Sequence, residues 1–146
     1  MPRELKAEAS IEIAAPAARV WDALTDPAQV KQYYFGTDLE ADWRVGGEMT
    51  FSGEWNGRSY EDRGTVIEVD APRHLSYSHW SPLNGTPDTP ENRHVLDFTL
   101  EERDGHTHLT LTQDNNANEE ERAHSTTMWT QMLAELKALV EGSPAA

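Results

Sequence analysis

Cysteine is absent from these 146 residues, which removes disulfides, thiol catalysis and thiolate metal sites together. Long apolar runs are absent too. No segment approaches the roughly 18 apolar residues of a membrane-spanning helix, and the opening MPRELKAEAS lacks the apolar stretch of a secretory leader. A cytoplasmic protein with no membrane partner is the expectation. Basic residues are scarce: 12 Lys and Arg stand against 26 Asp and Glu, for a formal net charge of −14. Nucleic acids and anionic membranes are held by clustered cations that displace counterions. With lysine only at Lys6, Lys31 and Lys137, neither is an expected partner. The sequence also lacks G-x-S-x-G, H-E-x-x-H and a phosphate loop, so no cofactor and no metal are expected.

The charge imbalance leads to a first prediction. A surface of one sign repels itself, and salt screens that repulsion. The melting temperature should therefore rise from low salt to about 0.5 M sodium chloride as the screening length shrinks. A flat calorimetric series would show the carboxylates to be compensated already.

What is present reads as one domain, 1–146, with a core from about 5 to 142. Leu5, Ala7, Ala9, Ile11 and Ile13 alternate with mostly polar residues, the pattern of a half-exposed strand. Pro16 then opens a short helix with Val20, Trp21 and Leu24 on one stripe. Asp26 can cap a second, with Pro27 at its first position, before Gly36 ends it. Helices this short are marginal alone. They must rest on something larger.

From there to about residue 114 the period becomes two. Met49, Phe51, Gly53 and Trp55 share a face, and Asn56-Gly57 is a hairpin turn. In the strand that returns, Tyr60 and Val66 share one parity and Ile67 and Val69 the other, so a bulge is expected near Gly64. Leu75, Tyr77 and His79 share a face, as do His94, Leu96, Phe98 and Leu100. Asp104-Gly105 turns the chain again, and Leu109, Leu111 and Gln113 point inward. The last segment is a long helix capped by Asn118, with Met128, Trp129, Met132, Leu133, Leu136, Leu139 and Val140 as its apolar band. The order predicts an α+β fold: a curved antiparallel sheet of about seven strands around the C-terminal helix, with two short helices after the first strand.

Four blocks carry a resemblance: IAAPAARVWDALTDPAQVKQYY, DWRVGGEMTF, GTVIEVDAPRHLSYSHW and MWTQMLAELKALVEG. In this order they resemble the family homologous to the activator of heat-shock protein 90 ATPase, a branch of the SRPBCC or START-like (Bet v 1-like) superfamily. The resemblance runs from about residue 8 to 141 and implies a helix-grip fold. It leaves activity open, because this scaffold hosts carriers, receptors and cyclases alike.

A single helix over a curved sheet is expected to leave an apolar hollow. Its lining is predicted to be Met49, Phe51, Trp55, Tyr77, His79, His94, Phe98, Leu109, Leu111, Gln113, Trp129, Met132 and Leu133. The expected partner is a small apolar ligand, and the expected state a monomer or weak homodimer. A small enzyme of the cyclase or hydratase type, using His79, His94 or Tyr77 to move a proton, is the alternative. The family's name adds an ATPase-regulating co-chaperone. Residues 81–93, rich in proline, are long enough for a lid. His106 and His108 share a face with Thr110 and Thr112, which marks it as solvent-facing, not metal-binding.

Overall fold

The computed structural model describes residues 5–34, 36–55, 57–81, 87–116 and 118–142. Strand β1 (Ala7–Ile13) leads into helices α1 (Ala17–Thr25) and α2 (Pro27–Tyr33). Six strands follow: β2 (Asp38–Ala41), β3 (Glu48–Trp55), β4 (Arg58–Asp70), β5 (His74–Trp80), β6 (His94–Arg103) and β7 (His106–Gln113). Helix α3 (Glu119–Gly142) ends the chain. The strands form one curved antiparallel sheet in the order β1-β7-β6-β5-β4-β3-β2, and the fold is the expected α+β helix grip. Among the described residues no helix is long and apolar enough to cross a membrane.

Local chemistry explains most of these boundaries. Asp104 and Gly105 both take positive φ, 53° and 78°, so a two-residue turn matches the right-handed twist of β6 and β7. Asp26 Oδ1 accepts the Ala28 amide at 3.1 Å, capping α2 ahead of Pro27. Asn118 Oδ1 accepts the Glu121 amide at 2.8 Å, and Glu119, Glu120 and Glu121 place negative charge at the positive end of α3. Helix α1 takes its cap from far away: Glu102 Oε1, at the β6–β7 hairpin, accepts the Ala17 amide at 2.7 Å. Pro16 occupies the cap position of α1 and not its first helical turn, as its extended ψ of 154° shows.

The concave face holds one continuous core. Trp129, Met132, Leu133, Leu136 and Val140 of α3 are buried against Ala9 and Ile13 of β1, Leu109 and Leu111 of β7 and Leu96, Phe98 and Leu100 of β6. The far end of α3 is pinned to β1, where Lys137 donates to the Glu12 carbonyl and Glu141 accepts the Ala14 amide, both at 2.7 Å.

The expected bulge near Gly64 is present, just beyond it. Register shifts between Val66 and Glu68, leaving Ile67 exposed. Gly64 has another role: a Cβ there would stand 2.3 Å from the Ser78 carbonyl oxygen, so the glycine permits close approach of β5.

Candidate functional site

The sheet register assembles the site. Phe51 on β3 lies directly opposite Asp62 on β4, and Gly64, two residues further, lies opposite His79 on β5. Residues opposite one another share a face, so Asp62 points with Phe51 into the concave side. His79 Nε2 lies 3.0 Å from Asp62 Oδ2, and the imidazole meets the Phe51 ring edge-on at 5.2 Å between centroids. Both side chains are mostly buried, with 16% and 14% of their surface exposed. The second carboxylate oxygen, Asp62 Oδ1, is buried and has no hydrogen-bond partner among the described residues. An unmade hydrogen bond of this kind ordinarily costs about 1–3 kcal/mol, and more for a charged group.

Aromatic rings connect this pair to the centre of the domain. Tyr34, just beyond α2, stacks on Phe51 at 5.8 Å and tilts against Trp129 of α3 at 6.0 Å. Phe51 also meets Tyr77, and Tyr77 stacks on Phe98, each at 5.8 Å. Beside them Tyr60 hydrogen-bonds Thr37 through the two hydroxyls at 2.7 Å. Its ring lies over Gly53, where a Cβ would come within 2.7 Å of the Tyr60 hydroxyl. Burial raises the Tyr77 phenol well above its ordinary range, and burial followed by the neighbouring Tyr77 raises Tyr33 and Tyr34. All three stay neutral, so Tyr77 is a poor proton donor at ordinary pH.

Between these rings and α3 the expected hollow is nearly closed. The cavity there measures about 10 Å³, room for about one water. The reason is α2. Its Tyr33 and the adjoining Tyr34 turn inward and occupy the space that sheet curvature opens, joined by Leu24 of α1 and Leu39 of β2. The short helices are therefore a plug as well as a wall.

The predicted lining residues separate into groups. Met49, Phe51, Tyr77, Phe98 and Met132 surround the cavity, and His79 packs edge-on against Phe51 without lining it. Trp129 reaches it through Tyr34, while its indole N–H donates to the Gln113 side-chain oxygen. Leu109, Leu111 and Leu133 are buried core residues away from the cavity wall. His94 lies at a strand end, its Nδ1 2.8 Å from the Asp114 carbonyl and its Nε2 3.7 Å from Glu121. The Trp55 side chain lies outside the described residues, as do 82–86 of the proposed lid segment. The rest of that segment is held by Arg93, which pairs with Asp88 at 2.8 Å and donates to Thr65 and Ser78. Asp62 was not expected, although its parity with Tyr60 and Val66 carries the signal.

The opposite face of the sheet is polar. His108 Nδ1 pairs with Glu12 at 2.7 Å across β7 and β1. An open groove of about 290 Å³ runs between Lys6, Val95, Asp97, Thr112 and Asp114. Close by, His74 bridges Glu68 at 2.6 Å and Asp97 at 2.5 Å. The hydrogen bond to Glu68, then that to Asp97, raises the His74 pKa above its ordinary 6.5 against the opposing effect of burial. A raised folded-state value stabilises the fold fully below the unfolded pKa and loses that contribution as pH rises through the folded one. Thermal stability of the wild type should therefore fall, relative to His74→Gln, as pH is raised above 6.5. Parallel melting-temperature profiles for the two proteins would contradict this.

Comparison with known proteins places this geometry. Residues 14–141 match the sequence model of the family described as Activator of Hsp90 ATPase homolog 1-like protein. A Cytophaga hutchinsonii protein of known solution structure is 42% identical, with all of both chains covered and a TM-score of 0.85. The Aha1 dimer from Colwellia psychrerythraea is 21% identical over 96% of this chain and 98% of that one, with a TM-score of 0.73. CalU16 from Micromonospora echinospora is 22% identical over 95% of this chain and 76% of its own, also at 0.73. At such identities the last two show the fold alone. No curated protein matches the chain.

Proposed function

This chain belongs to the Activator of Hsp90 ATPase homolog 1-like family, and on that footing we propose that it binds a small apolar molecule between the concave face of its sheet and α3. The observation that carries the reading is the plug. Five aromatic rings, Trp129, Tyr34, Phe51, Tyr77 and Phe98, run across the space beneath α3. One of them, with Tyr33, is supplied by the seven-residue helix α2 and its edge. So short a helix has little stability of its own. Its polar ties to the rest of the domain are Arg19 to Gln29 at 2.6 Å, Tyr33 to the Ala23 carbonyl at 2.9 Å, and Lys31 to Asp38 at 2.9 Å, beside the buried side chains of Val30 and Tyr33. Withdrawing α2 removes both tyrosines together and leaves an apolar, aromatic space open at one end. The described conformation is then the closed member of a pair, and a ligand selects the open one.

The test is uptake by the purified protein. Native mass spectrometry should find a co-purifying small molecule, and Nile red should brighten on addition to protein that remains folded by circular dichroism. Exclusion of Nile red across a range of temperatures below unfolding would end this reading. A second reading, an enzyme of the cyclase or hydratase type, draws on the Asp62–His79 hydrogen bond facing the same space, an arrangement able to accept and return a proton.

A further inference from the structure

We infer that Asp62 and His79 form a head-group site for a protonated amine, so that the molecule taken up is an apolar one carrying an ammonium group. The inference rests on the apolar-binder reading above and adds the polar end of the ligand to it. Three observations converge. First, Asp62 Oδ2 is engaged by His79 Nε2, but Oδ1 is buried with no partner among the described residues. Buried carboxylate oxygens are almost always hydrogen-bonded, so this one is an acceptor for which the described residues supply no donor. Secondly, the pair lies beside the Phe51 ring, on which Tyr34 stacks. Aromatic faces attract cations through the negative end of the ring quadrupole. Thirdly, the chain carries a formal net charge of −14, so its field concentrates cations and repels carboxylates before contact. An ammonium placed at Oδ1 would form a charge-assisted hydrogen bond, with its apolar tail directed along Phe51 and Tyr77 towards the cavity. Nothing covalent is required.

Three eight-carbon probes of equal length separate the possibilities: octylamine, octan-1-ol and octanoate, titrated against wild type and Asp62→Asn by tryptophan fluorescence and calorimetry. Wild type should prefer octylamine to octanol by about tenfold or more, the scale of a charge-assisted bond formed out of water, and should bind octanoate least. Asp62→Asn should lose that preference while keeping its affinity for octanol and for Nile red. Because the variant removes the carboxylate whose Oδ1 has no partner among the described residues, its melting temperature should equal or exceed the wild-type value. A purely structural carboxylate would show the reverse. One measurement needs no variant: octylamine, and not octanol, should shift the imidazole proton resonances of His79 in wild type. Equal affinity for the three probes, an undiminished amine preference in Asp62→Asn, or an unmoved His79 signal on octylamine binding each overturns the head-group site. Should wild type take up Nile red without discriminating the amine, the head-group site falls and the apolar binder stands. Should it take up nothing, both fall.

Discussion

Trp129→Ala should destabilise the domain by about 3–5 kcal/mol, the range for losing a large buried aromatic side chain. Two losses add there. The indole is 5% exposed and packs between α3 and Tyr34, so its removal leaves a void that the short helices must collapse to fill. Its N–H also donates to the side-chain oxygen of Gln113, itself buried, and truncation leaves that oxygen unpaired. Trp129→Phe divides the two. It keeps most of the volume and drops the hydrogen bond, so it should cost about 1–3 kcal/mol, the penalty for one buried unmade bond. Urea unfolding of the three proteins measures this directly, provided the m-value stays constant. A wall residue of an open hollow would behave differently, since one side of it already lacks partners. A loss well under the stated range would mean that the core near Trp129 is looser than its cavity of about 10 Å³ implies.

That contrast marks where the sequence is legible and where it is not. Alternation at Leu96, Phe98 and Leu100 reports a buried strand face directly, and these three are buried. Turn chemistry at Asp104-Gly105 fixes a hairpin because both residues need positive φ there. The capping asparagine at 118 sets the start of α3 for a similar local reason. The parity change places the bulge near Gly64, where the register does shift. The role of Gly64 itself is less legible, because a glycine in a strand has two explanations, bulge or close approach. Only the Ser78 carbonyl, which comes from a different strand, decides between them. Tyr33 and Tyr34 show the same limit. Helical spacing places both on α2 or its edge, but whether their rings face the hollow depends on how α2 sits across the sheet end. That is a matter of tertiary packing, and it decides whether the cavity holds a ligand or a plug. Asp62 was overlooked because a carboxylate on a mixed-parity strand reads as solvated. Its burial follows from the pairing of Phe51 with Asp62, a long-range fact.

Phe51→Ala should turn the plugged core into an open one. Phe51 is buried and touches Tyr34, Tyr77 and His79 at once, so it is the ring on which the aromatic run converges. Its deletion should cost about 3–5 kcal/mol. The void it leaves is continuous with the existing cavity, whose walls include Met49, Leu75 and Met132. An apolar void of that kind stays dry and accepts an apolar guest. A ligand of benzene size should therefore raise the melting temperature of Phe51→Ala, restoring about 2.7 kcal/mol when present at a hundred times its dissociation constant. Wild type should bind the same ligand more weakly, because Tyr34 and Phe51 must first move aside and only the open fraction is competent. Scanning calorimetry with and without ligand reads both effects. If Phe51→Ala loses stability and the ligand restores none of it, then Tyr34 and Tyr77 have closed over the gap, and this part of the core is packing alone.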